Sequence, residues 1–195
     1  DLFFDILKER AETGRIYIMN LDHCNSHSSF KDKVSMSNLC QEITLPTTPI
    51  QDIHDEQGEI ALCILSAVNV GGLNDLSELE NICDLSVRAL EQIIDYQDYP
   101  VKAAEVSTKK RRSLGVGYIG LAHYLAKNGV KYSDPKAWEL VDRLSEAFQY
   151  QLLRASCNIA MEKGKCEGFE RTKYADGLLP IDHYKKEVDE IVPHK

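Results

Sequence analysis

Asn38, Cys40 and Glu42 stand at alternate positions in the stretch Ser37-Asn38-Leu39-Cys40-Gln41-Glu42-Ile43, an amide, a thiol and a carboxylate. With Leu39, Ile43 and Leu45 as apolar counterparts, the alternation predicts an extended segment. Successive side chains of such a segment point to opposite faces, which puts the three polar groups in one row. At about 3.3 Å of rise per residue, neighbours in the row stand roughly 6–7 Å apart, a span that one sugar-sized molecule covers. The chemistry on offer is a hydrogen-bonding amide, a sulfur able to act as nucleophile or radical, and a carboxylate able to act as base. The same pattern serves a half-exposed strand whose polar face is merely solvated, and the row alone does not choose between the two.

Other stretches carry reactive side chains with weaker claims. Cys63 sits in residues 60–70, Ile-Ala-Leu-Cys-Ile-Leu-Ser-Ala-Val-Asn-Val, a run expected of a strand buried on both faces, where a cysteine packs as a small hydrophobe. Asp22-His23-Cys24-Asn25-Ser26-His27 offers metal-binding side chains, but its composition reads as a loop and no second ligand pair follows at zinc-site spacing. Gly115, Gly117 and Gly120 match GxGxxG ahead of a helix that ends at Asn128-Gly129. Val130-Lys131-Tyr132 is too short and polar for the buried second strand with an acidic tip that a dinucleotide site needs, and glycines that let strand and helix approach closely explain the match. Lys109-Lys110-Arg111-Arg112 could meet a phosphate, and as a solvated loop it needs no ligand.

The elements that must hold these groups follow from periodicity and punctuation. Leu2, Phe3, Ile6 and Leu7 recur at helical spacing until Thr13-Gly14, and Ile16-Tyr17-Ile18-Met19 reads as a short strand. Leu45-Pro46-Thr47-Thr48-Pro49 ends extended pairing, and a polar loop runs on to Gly58. Ser77 and Glu80 form a capping-box signature ahead of Ile82, Leu85, Val87, Leu90, Ile93 and Ile94. Asp134-Pro135 opens a long helix that closes at Lys163-Gly164, and Asp182 begins a last amphipathic helix with Tyr184, Val188 and Ile191. The expected class is α/β with a helix-rich second half, one continuous piece over residues 1–195 with no internal boundary.

Composition limits the function classes. A chain of 195 residues with 43% hydrophobic and 28% charged side chains belongs with folded globular proteins, and a formal net charge of −8 argues against a nucleic-acid partner. No stretch approaches the roughly 18–20 apolar residues of a membrane helix, and no basic leader precedes an apolar one, so the expected location is the cytosol, away from membranes. Six irregularly spaced cysteines without a CxxC pair suggest neither a disulfide framework nor structural zinc. A helical pattern already running at Asp1, with no initiator Met, suggests a piece of a longer chain.

Several words of the sequence, taken together, resemble the large, catalytic subunit of class I ribonucleotide reductase. They are Lys8-Glu9-Arg10-Ala11, Thr13-Gly14-Arg15-Ile16-Tyr17-Ile18, Asp22-His23-Cys24-Asn25, the Asn38-Cys40-Glu42 stretch followed by Leu45-Pro46-Thr47, and Gly58-Glu59-Ile60-Ala61-Leu62-Cys63 with Leu65-Ser66-Ala67. Asp95-Tyr96-Gln97-Asp98-Tyr99-Pro100, Leu125-Ala126-Lys127 and Leu179-Pro180-Ile181-Asp182 continue the series, so the resemblance spans nearly the whole chain in the family's order and spacing.

The resemblance implies part of a ten-stranded α/β barrel with a central finger loop, acting on ribonucleoside diphosphates to make deoxyribonucleotides for DNA synthesis. Cys40 matches the cysteine that becomes a thiyl radical, Glu42 the carboxylate that takes the 3′-hydroxyl proton, and Asn38 the amide that holds the substrate hydroxyls. Cys63 matches one member of the family's redox pair. Its partner lies upstream of Asp1 in the family, and none of Cys24, Cys83, Cys157 or Cys166 matches it. The resemblance also implies a radical-generating, metal-containing small subunit, a homodimer of the full-length large subunit and re-reduction by thioredoxin or glutaredoxin. No cofactor is expected on this segment, and dNTP and ATP effectors are expected to bind outside it, as are the substrate phosphates. Two other readings remain: a relative that draws its radical from adenosylcobalamin or glycine, which the Asn-Leu-Cys-x-Glu-Ile and Leu-Pro-Thr wording disfavours, and a catalytically silent regulatory or assembly module.

Overall fold

In the computed structural model, which describes residues 1–183, two strands pair in parallel: β1 (Ile64–Asn69) and β2 (Leu114–Ile119), with Ile64 opposite Leu114 and Asn69 opposite Ile119. Parallel neighbours need a long crossover, and here it is helical. Two helices, α3 (Leu79–Tyr96) and α4 (Lys102–Arg111), lie between the strands. Ahead of β1 come α1 (Leu2–Thr13) and α2 (Leu21–His27), and after β2 come α5 (Leu121–Lys127) and α6 (Pro135–Lys163). The chain is mixed α/β, as expected. Among the described residues no helix is long and apolar enough to cross a membrane.

The long helices begin and end where backbone groups find partners. At α6 the Asp134 side chain accepts the Lys136 N–H at 2.9 Å, Pro135 fills the first helical position, and Gly164 follows the last turn. The cap of α3 lies earlier than the Ser77 and Glu80 signature. Asp75 accepts the Ser77 N–H at 2.8 Å while Glu78 accepts the Asn74 N–H at 3.2 Å, and a short 3-10 turn, Leu76–Glu78, leads into the helix. Both side chains are carboxylates, which also complement the partial positive charge of a helix start.

Helices α3 and α6 pack together on one face of the strand pair. Val68, Val70, Leu73, Leu79, Cys83, Leu144 and Phe148 form the main core cluster, with the Tyr118 ring edge-on to Phe148 at 5.5 Å. Arg88 of α3 holds Glu162 of α6 through two bonds of 2.7 Å. Along β1 burial alternates: Val68 is buried, while Leu65 is 58% exposed and Ile119 of β2 is 57% exposed. The expectation of burial on both faces is therefore corrected. Both packing helices lie on Val68's side, and among the described residues no helix covers the other face of the pair.

Three further expectations change. Residues 15–20 form no strand: the described strands pair only with each other, and the Ile16 carbonyl accepts from the Arg10 side chain. Residues 22–27 are helical rather than loop, with Asn25 donating back to the Leu21 carbonyl at 2.7 Å. The basic tetrad, expected in a loop after the helix that closes at residues 95–100, lies at the end of a further helix: Lys109, Lys110 and Arg111 are in α4 and Arg112 caps it. The last amphipathic helix falls mostly outside the described residues: 180–183 are helical, and Tyr184, Val188 and Ile191 lie beyond them.

Candidate active site

Asn38, Cys40 and Glu42 lie on a tight turn, not on an extended strand. The Gln41 N–H donates to the Asn38 carbonyl at 3.1 Å, and Gln41 takes the left-handed conformation at φ 62°. The physical reason is the Asn38 side chain. Its Oδ1 accepts the Ile43 N–H at 3.1 Å, and Ser37 Oγ donates to the Ile43 carbonyl at 2.8 Å, so side chains satisfy backbone groups that a strand would have offered to a neighbour. The alternation is real in the sequence but is not read out by a pleat. The three residues are exposed and gathered within one turn. Neither the Cys40 thiol nor the Glu42 carboxylate hydrogen-bonds to the described residues, and Leu39 beside them is 78% exposed.

Both feet of this loop are fixed. On the N-terminal side, Asn25 exchanges two bonds of 2.8 Å with the backbone of Val34, which is fully buried. On the C-terminal side, Thr48 and Glu59 pair through two backbone bonds of 3.0 Å, and Pro46 is buried between them and the tip. Asn25 belongs to the Asp22-His23-Cys24-Asn25 word, and this bonding gives that word a structural task. Among the described residues no three His, Cys, Asp or Glu side chains are grouped to hold a metal ion.

The basic tetrad is neither a solvated loop nor a free anion site, because each member has a carboxylate partner. Lys109 meets Glu105 at 2.7 Å, Lys110 meets Glu59 at 2.9 Å, and Arg111 meets Glu59 at 2.5 Å and Asp32 at 2.9 Å. Arg112, left-handed at φ 49°, donates to Glu91 at 2.8 Å and to Asp95 at 2.8 Å. Partial burial alone would raise the Glu59 and Asp32 carboxyls. The bonds from Arg111 and Lys110 to Glu59, and from Arg171 and Arg111 to Asp32, outweigh it and hold both below their ordinary values of 4.5 and 3.8. A depressed carboxyl stabilises the fold above its ordinary value, and the contribution is lost as pH falls through the folded-state value. Urea stability of a subunit containing this chain should therefore fall as pH is lowered through about 4.5 and below, and Glu59→Gln should flatten that fall. An unchanged slope in the variant contradicts the assignment.

Cys63 stands just ahead of β1, and all six cysteines are free thiols. Its sulfur lies over Gly115: a Cβ at that glycine would come within 3.0 Å of Cys63 Sγ and 2.5 Å of Leu65 Cδ2. Cys63, Leu65 and Gly115 thus share the helix-free face of the strand pair. Burial pushes the Cys63 thiol up from its ordinary value. No hydrogen bond among the described residues joins it to the loop tip, so the structure gathers Asn38, Cys40 and Glu42 and leaves Cys63 on a separate element. Of the three glycines in the GxGxxG match, Gly115 and Gly117 lie inside β2 rather than in the turn after it, where a dinucleotide pyrophosphate would need them. Close approach explains Gly115 and also Gly120, at φ 78°, where a side chain would collide with Asn69; nothing crowds Gly117.

Sequence reasoning missed Asn25, Asp32, Glu59 and Arg111 as the supports of the loop. The signal for Asn25 was its place in a recognised word. The ionic supports join residues 52 and 79 positions apart, and no local pattern reports such a pair.

Residues 1–194 match the family described as "Ribonucleotide reductase, barrel domain". The ribonucleoside-diphosphate reductase subunit alpha of Buchnera aphidicola subsp. Schizaphis graminum is 56% identical over 194 residues, covering 98% of this chain and 25% of that protein. The same-named subunit of Haemophilus influenzae is 57% identical over 194 residues, and ribonucleoside-diphosphate reductase 1 subunit alpha of Escherichia coli is 54% identical over 194 residues; each alignment covers 98% of this chain and 26% of the relative. The chain spans about a quarter of the length of these curated relatives.

Proposed function

Since this chain belongs to the ribonucleotide reductase barrel-domain family, we propose that it forms the catalytic centre of a ribonucleoside-diphosphate reductase large subunit, replacing the ribose 2′-hydroxyl by hydrogen. The observation that carries the reading is the loop tip. A turn whose shape is set by Asn38 and Ser37 presents Cys40 and Glu42 with no structural task of their own.

In this reading Cys40, as a thiyl radical, takes the hydrogen atom from C3′ and becomes a thiol. Glu42 accepts the 3′-hydroxyl proton, which eases departure of the 2′-hydroxyl as water. Asn38 holds the substrate hydroxyls through its Nδ2 donors, its Oδ1 being committed to the loop. Two electrons come from a dithiol of which Cys63 is one member, and the pair ends as a disulfide. Burial pushes the Cys63 thiol up and so favours the protonated form, which can deliver a proton to the departing hydroxyl. The second thiol hydrogen goes to C2′, Glu42 returns its proton to the 3′ oxygen, and Cys40 returns its hydrogen atom to C3′ and is again a radical. Electrons and protons balance: one ribonucleotide and two thiols give one deoxyribonucleotide, water and a disulfide.

The barrel in this proposal has ten strands, of which β1 and β2 are two. α3 and α6 lie on its outside, and the helix-free face with Cys63 turns inward towards the finger loop. One-sided helix packing supports that orientation. The second redox cysteine, the substrate phosphate site and the dNTP and ATP effector sites belong to other parts of the large subunit, which acts as a homodimer. A metal-containing small subunit supplies the radical, and thioredoxin or glutaredoxin restores the dithiol.

The experiment compares two preparations, each given the small subunit, a dithiol and a ribonucleoside diphosphate. The full-length large subunit containing this chain should form the deoxynucleotide, and the 195-residue chain alone should form none. Failure of the full-length enzyme overturns the function. Product from the isolated chain overturns the division of labour.

A further inference from the structure

Arg111 touches both feet of the loop that carries Cys40. Its Nη1 donates to Asp32, ahead of the loop, and its Nε donates to Glu59, whose backbone pairs with Thr48 behind it. The Arg111 side chain is 5% exposed and that of Glu59 7%. The helix that carries Arg111 is seated on small buried residues, Ala103, Ala104, Ser107 and Thr108, so the guanidinium springs from a fixed base. A planar guanidinium can bond two carboxylates from different segments at once, which an ammonium on a flexible stem does poorly.

We propose that Arg111 is a positioning residue for the reduction: acting through Asp32 and Glu59, it fixes the spacing of the two feet and so the place at which the Cys40 sulfur meets the ribose. The proposal rests on the reading of Cys40 as the hydrogen-abstracting group. Abstraction requires near contact, and a displacement of about 1 Å costs on the order of 10²-fold in rate. Substrate affinity comes largely from phosphate contacts outside this chain, so the loss falls on kcat.

The test uses the full-length large subunit with its small subunit and a dithiol. Arg111→Met alone leaves Glu59 only Lys110 and Asp32 only Arg171, so the buried Glu59 loses its closest partner, and such a broken buried pair can unfold a protein. The informative variant is therefore Arg111→Met combined with Glu59→Met, because apolar replacement of a buried ion pair is often neutral for stability. That double variant should melt as the wild type does, lose about 10- to 100-fold in kcat, and change KM for the ribonucleotide by less than about threefold. Arg111→Lys should recover only part of the rate, and Asp32→Asn, which takes the charge from the arm to Arg111 and from the bond to Arg171, should lower kcat with KM held, while Arg171→Met, which leaves the Arg111 arm in place, should not. Wild-type kcat in the folded double variant overturns the proposal, as does a loss expressed mainly in KM. If the double variant does not fold, Asp32→Asn decides by the same criteria. Cys40→Ser, run alongside, separates the two ideas: turnover retained there refutes the radical reading, whereas a kcat-specific loss in the Arg111 variants still reports positioning.

Discussion

Cys40→Ser in the full-length reductase is expected to cut deoxynucleotide formation by about 10⁴-fold or more, the scale on which removal of a bond-forming catalytic side chain is measured. The substitution changes one atom on an exposed turn. Because the thiol bonds to nothing in the described structure, the melting temperature should not move, and the stability change should stay within about 0.5 kcal/mol, as for other surface substitutions without a partner. Nucleotide affinity should hold as well, since a serine hydroxyl fills the same place with similar polarity. What serine cannot do is hold the unpaired electron. An O–H bond is stronger than an S–H bond, so a radical that reaches the turn finds no hydrogen it can remove. Equilibrium dialysis with the ribonucleotide, a thermal melt and a turnover assay on one preparation read the three quantities. Turnover within about tenfold of wild type would mean that the sulfur is dispensable and the turn is a structural feature only.

Asn38 allows no such clean reading. Its side-chain oxygen accepts the Ile43 N–H and its carbonyl accepts the Gln41 N–H, so the residue builds the turn in addition to its proposed contact with the substrate. Loss of activity after Asn38→Ala would mix a misplaced Cys40 with a missing donor. The separation of roles runs through the turn itself: Ser37 and Asn38 spend their polar atoms on the backbone, and Cys40 and Glu42 do not.

Much of the scaffold was legible because it is written locally. Asp134-Pro135 and Lys163-Gly164 bracket α6 in the structure as they do in the text, and the α3 periodicity over 82–94 falls inside the helix. The family was legible too, as words in a recognised order that take in Asn38, Cys40 and Glu42. Their geometry was not. An alternation of polar and apolar residues predicts a strand only when the backbone finds another strand to bond, and at Asn38 a side chain won that competition. The run around Cys63 misled for a related reason. Apolar continuity says that burial is intended but not which neighbours supply it, and here the described helices cover only Val68's side. The charge pairs escaped altogether, since Lys110 and Arg111 find Glu59 across the crossover and no spacing rule connects them.

Glu42→Gln should lower kcat of the full-length enzyme by about 10²- to 10⁴-fold, the range for loss of a positioned general base. Glutamine keeps the length, the shape and one acceptor oxygen of the side chain, and it removes the basicity. The wild-type carboxylate makes no hydrogen bond or ion pair with the described residues, so the loop has nothing to lose, and the fold should be indifferent to the change. KM should stay within about threefold, because an amide still accepts a hydrogen bond from a bound hydroxyl even though it cannot keep the proton. Were Glu42 only a solvated charge at a loop tip, kcat would stay within about twofold and the proton acceptor would have to be sought elsewhere. Glu42→Asp sharpens the test: it keeps the base but withdraws it by one methylene, so an intermediate rate places the requirement on distance as well as on basicity. A silent Glu42→Gln beside an inactive Cys40→Ser would leave the radical on sulfur and assign the 3′-hydroxyl proton to another group, which narrows the proposal to the half that the turn supports.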